Sequence, residues 1–305
     1  MMGAMGEMTH GGMSDPFTTR TLCEWPMLTA LLLVFGLATF ASAIVPSQSS
    51  PSAPSKLWNA VRGLALAVLI LAPLQLLIGV ASMAGTAFAQ ALPLAPEVLR
   101  QTRFGNVWLA SAPLLLALAA AAWTSGHSRW HASLIALIGA VLLALRALAT
   151  HAIDFGTPAI VLYFIHEAGA GLWCGALLGL SFVAGRGDME LPAANLIVRR
   201  VSRLAGWCVA ALVASGVYIA YCALGLNLDH LLYSAYGRTL IAKVAIFGIL
   251  VALGGYNRYR LLPRFSVASA RSELIRSVRI ECLLMMAVLA LAVLLANTPP
   301  AHDLK

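Results

Sequence analysis

Long apolar runs alternate with short polar breaks along most of the chain. A helix that crosses a bilayer needs about 20 mostly apolar residues. Eight segments meet that requirement: 25–45, 63–83, 104–123, 131–150, 159–184, 204–223, 237–256 and 277–297. The breaks carry turn chemistry, as in the Ser- and Pro-rich stretch 46–56. A longer polar connection, holding Pro93, Pro96, Glu97, Arg100 and Arg103, separates the second and third runs. The pattern predicts an all-α fold, a polytopic membrane helix bundle with about eight transmembrane helices. The expected division is a Met-rich tail at 1–21, a transmembrane domain at 22–300 and a short tail at 301–305. The first apolar run is long and lacks a basic stretch before it, so it reads as a retained first helix.

Composition agrees with this picture. Of 305 residues, 60% are hydrophobic and only 10% charged, against about 25% charged in soluble domains. The net charge of +8 does not point to nucleic acid, because the basic residues sort by side of the membrane. Thirteen Lys and Arg fall on one side, five on the other, and Arg146 and Lys243 lie within spans. The richer side is expected to be cytoplasmic. Both termini are then expected to be periplasmic, and Trp25, Trp58, Trp123 and Trp130 lie near span ends as an interfacial belt requires. The lipid bilayer is the expected partner. No Walker A, GxSxG, HExxH or dinucleotide fingerprint occurs, so no enzymatic activity is expected.

Candidate chemistry gathers on the expected outer side. The first thirteen residues hold five of the ten methionines, together with His10. Thioether sulfur is a soft ligand suited to Cu(I), and Met5, Met8, His10 and Met13 are candidate metal ligands. His151 ends the fourth run and His166 sits about two turns into the fifth. A short loop makes these helices antiparallel neighbours, and the two imidazoles are expected to approach each other at the mouth of the bundle. Ionisable groups within spans are functional candidates, which adds Glu167, Lys243 and Glu281. Lys243 snorkels in the simplest reading, and Glu281 is expected to pair with Arg279 or an inner-loop arginine. Trp173 shares the helix face of His166, while Gly169, Ala170 and Gly171 offer close helix approach. The five cysteines form no CxxC pair; Cys23 and Cys222 lie near helix ends, where neighbouring helices would permit a disulfide.

The stretches Ile165 to Leu180, Val201 to Tyr218 and Tyr236 to Phe265, the last with Tyr-Gly-Arg, Lys243 and Asn257-Arg258, resemble the copper resistance protein D family. The last helix, with Arg279, Glu281 and Thr298-Pro299-Pro300, fits as well, and Thr102 to Ala110 is a weaker match. Two positions depart from the pattern: Ser111 stands where an arginine is expected, and Thr150 precedes His151 where glycine is commoner. The resemblance implies an inner-membrane protein for copper, as Cu(I) or Cu(II), working beside a periplasmic copper-binding protein of the copper resistance C type. Copper transport or uptake is the expected function. The alternatives are a haem-binding redox protein with His151 and His166 as axial ligands, and a copper-delivery protein that does not transport.

Overall fold

The computed structural model describes residues 16–46, 55–124, 128–184, 190–225 and 227–298. The tail ligands Met5, Met8, His10 and Met13 lie outside these residues. Among the described residues, eight helices are long and apolar enough to cross a membrane. They are α1 (Pro16–Thr39, extended by a π-turn over Phe40–Ile44), α2 (Ser55–Ala84), α4 (Arg103–Trp123) and α5 (Arg129–Leu148), then α6 (Thr157–Ala184), α7 (Leu191–Leu224), α9 (Ala235–Tyr256) and α10 (Ala268–Ala296). Two short helices, α3 (Ala91–Gln101) and α8 (Leu228–Tyr233), lie between spans at one end.

Several helices outrun their apolar segments. α7 begins at Leu191 rather than at 204, and α10 at Ala268 rather than at 277. Hydropathy registers only the part of a helix inside hydrocarbon, and both extensions carry arginines that belong in water. The connection expected to be a polar loop contains α3, whose Ala91 and Ala95 pack on Val80 and Ala81 of α2. Its Pro93 falls in the first turn, where the missing N–H costs nothing.

α1 is the central element and packs against α2, α5, α6 and α10. Its crossing with α6 is very close. A Cβ on Gly36 would stand 2.0 Å from the Gly171 carbonyl oxygen, and one on Gly175 would stand 2.2 Å from the Gly36 carbonyl carbon. A Cβ on Gly179, one turn further, would meet the Phe40 ring. Gly171, Gly175 and Gly179 recur every four residues and form one smooth stripe. Gly169, on another face, abuts Leu212 of α7. Packing between lipid-solvated helices rests on such close fits, since lipid is as apolar as leucine.

The basic end is tied by arginines to helix-end carbonyls. Arg129 Nε donates to Ser42 O (2.8 Å), Arg200 Nη1 to Ile44 O (2.9 Å) and Arg62 Nε to Ala122 O (3.2 Å). These cations sit where helix dipoles are negative. Exposed Trp123 and Trp130 flank the same end. Glu24 near the start of α1 bonds Asn297 after α10, so both ends of the described chain lie at the opposite face. Cys23, Cys174, Cys208, Cys222 and Cys282 are free thiols, and the disulfide envisaged for Cys23 and Cys222 is not formed.

Candidate functional site opposite the arginine-rich end

The end opposite the basic one holds a cavity of about 240 Å³. It extends from Arg20 and Thr298 at the helix ends down to Leu31 and Leu142. Charged groups form part of its wall. Arg146 of α5 reaches two carboxylates at once: its Nη1 donates to Glu24 Oε1 of α1 (2.8 Å) and its Nε to Glu167 Oε1 of α6 (2.9 Å). Asn297 Nδ2 donates to the second Glu24 oxygen at 2.8 Å. Glu24 and Glu167 are 5% and 7% exposed, so their charges depend on this partner.

Lys243 of α9 faces the same group at longer range and makes no ion pair with it. Arg20 at the cavity rim also faces Glu24, so cations compensate both buried carboxylates, as the apolar setting requires. One oxygen, Glu167 Oε2, is buried with no hydrogen-bond partner.

His166 does not line this cavity. Its Nδ1 lies 3.0 Å from Ser215 Oγ of α7, and its ring rests on Gly216, where a Cβ would come within 3.3 Å of Cε1. The imidazole therefore sits between α6 and α7, one residue from the ion-paired Glu167. His151 opens the short turn His151–Phe155, and its side chain lies outside the described ones. The other described imidazoles are engaged elsewhere, His131 with Trp58 and Thr124, and His230 with the Leu224 carbonyl.

Two soft donors outside the predicted ligand set, Met27 and Cys222, line the cavity. Among the described residues no group of three or more His, Cys, Asp and Glu side chains is placed to hold a metal ion. Trp173 is buried towards the other half, edge-on to Phe247 at 6.0 Å. Glu281 is bonded to Asn257 Nδ2 rather than to Arg279 or a loop arginine. The reason is local: Asn257 begins a π-turn that ends α9 and faces Glu281 within the bundle, while the arginines lie outside.

A bundle of eight spans with a charged, sulfur-bearing cavity at one end defines a multi-pass membrane protein built around an intramembrane site. The chain belongs to the copper resistance protein D family. Residues 195–295 match the family model described as copper resistance protein D, and residues 13–157 match its N-terminal domain. The chain is 28% identical to copper resistance protein D of Pseudomonas syringae pv. tomato, over 88% of this chain and 89% of that protein. It is 26% identical to copper transport protein CutJ of Bacillus subtilis (strain 168), over 80% of this chain and 45% of that longer protein. No solved structure matches the chain. It is accordingly a copper-related membrane protein.

Proposed function

We propose that the chain takes up copper across the bacterial inner membrane, with the cavity end facing the periplasm and the arginine-rich end facing the cytoplasm. The observation that carries this reading is the cavity itself. It lies at the end where the Met-rich segment joins α1, and Met27 and Cys222 line it. Met5, Met8, His10 and Met13 capture the ion and pass it to these sulfurs. Copper is cargo here, as Cu(I) or Cu(II), and thioether and thiol donors favour Cu(I). Two or three ligands make a site that an ion enters and leaves, as conduction requires.

His151 and His166 are the nitrogen donors of this proposal, with His166 acting from the α6–α7 interface against Ser215 rather than from the cavity wall. Glu24, Arg146 and Glu167 hold α1, α5 and α6 in register around the cavity. The chain works as a transport protein without catalytic residues, beside a periplasmic copper-binding protein of the copper resistance C type. Cells that depend on the chain for copper should accumulate less of the ion with His166→Ala than with the parent protein at equal membrane abundance. Unchanged accumulation removes His166 from the pathway.

A further inference from the structure

The inner half of the bundle holds a second polar cluster that the outer cavity does not explain. Glu281 of α10 is 2% exposed. Its only hydrogen-bond partner among the described residues is the neutral amide of Asn257. No cation stands within ion-pair distance of it among those residues. A buried carboxylate with a neutral partner is costly in an apolar bundle unless a proton or another cation joins it.

The surroundings offer places for such an ion. Asn257 Oδ1 and Ser277 Oγ are both buried and lack a hydrogen-bond partner. Ser277 lies four residues before Glu281, one turn away on the same face of α10. The Trp173 indole N–H is likewise buried and unpaired. Glu281, Asn257 and Trp173 line one cleft of about 240 Å³ that reaches the basic end at Arg258 and Tyr259. Unpaired donors and acceptors around a cleft of this size mark a place for water and an ion. Gly254 lines the same cleft beside Glu281. The π-turn Asn257–Leu261 brings the amide here, and such turns recur at functional sites.

The titratable and charged neighbours are few. α9 and its π-turn contribute Arg258 and Tyr259; Arg258 donates to the Ser202 carbonyl (3.0 Å) and lies over the Tyr259 ring. α10 contributes Cys282 beside Glu281, and α6 contributes Cys174, which lies near Cys282. α7 adds only uncharged groups to the cleft, among them Ser202.

We propose that Glu281, Asn257 and Ser277 form an inner-half site for a small hard cation, a proton or a sodium ion, distinct from the copper path. All three donors are oxygens, which suit hard ions and not Cu(I). Coupling of this site to copper movement rests on the transport reading above; occupation of the site by a cation does not.

Infrared difference spectroscopy on the purified full chain tests the site without copper. One titration varies pH in sodium-free buffer, and the other adds sodium chloride at fixed pH with choline chloride as control. We expect a carboxyl band that responds to pH or to sodium, is lost in Glu281→Gln, and is shifted in its midpoint by Asn257→Leu and by Ser277→Ala. A proton site responds to pH alone, and a sodium site to both. No Glu281-dependent response in either titration overturns the proposal, as does a response that Asn257→Leu and Ser277→Ala both leave unmoved. In proteoliposomes, parent copper flux should follow the proton or sodium gradient, and Glu281→Gln flux should ignore it. Absent copper flux beside an intact infrared response refutes the transport reading and leaves the cation site standing.

Discussion

Arg146 and Glu167 come within 2.9 Å of each other across α5 and α6, and the same guanidinium reaches Glu24 of α1. One arginine therefore joins three helices at the end where the cavity lies. Removing one partner of a buried pair costs about 3–5 kcal/mol, because the remaining charge is stranded. Arg146→Leu strands two carboxylates, so its thermal unfolding in detergent should fall well below that of the parent. The triple variant Arg146→Leu, Glu24→Gln, Glu167→Gln should recover much of the loss. A triple variant no more stable than Arg146→Leu alone contradicts this view of the cluster.

The glycine crossing between α1 and α6 gives a purely steric prediction. Gly36→Ala and Gly175→Ala each insert a methyl group where backbone already stands. Overpacking of this kind costs roughly 1–3 kcal/mol, and separation of α1 from α6 also widens the cavity wall. Gly63→Ala is the control, because a Cβ there meets nothing within 4 Å. Unfolding midpoints should drop for the first two variants and stay level or rise for the third.

Much of this fold was legible in the sequence because bilayers impose a strong length rule on apolar runs. All eight spans fall where hydropathy places them. The missed parts are those whose physics is not hydropathic. α3 hid behind Pro93, and the starts of α7 and α10 hid behind the arginines of water-exposed turns. Arg146 lay in plain view within an apolar run, and an isolated cation there requires an acid at the same depth. Glu167 was flagged, but Glu24 is 122 positions away in the chain and sits at the edge of its apolar run. Met27 reads as an ordinary apolar residue until a cavity is known to lie beside it, and Cys222 reads as a disulfide partner for Cys23 rather than as a soft donor.

The Met-rich segment gives a kinetic prediction. A tethered ligand raises the local ion concentration at the cavity without changing the path through it. Deleting residues 1–13 should raise the copper concentration for half-maximal uptake severalfold and leave uptake at saturating copper nearly unchanged. An equal loss at all copper concentrations would place the segment inside the path and contradict the capture role.

Copper entry into proteoliposomes through the outer cavity is the most direct test. Purified full chain is reconstituted, and copper uptake is recorded for the parent and for Met27→Leu combined with Cys222→Ser. Both replacements are close in size, so the fold should persist, as matched unfolding midpoints will verify. The parent should carry copper into the vesicles, and the double variant should do so about tenfold more slowly, the effect of losing ~1.4 kcal/mol of ligand contact. Vesicles whose copper content never exceeds that of protein-free controls, or a double variant that transports as fast as the parent, would contradict copper passage through this cavity.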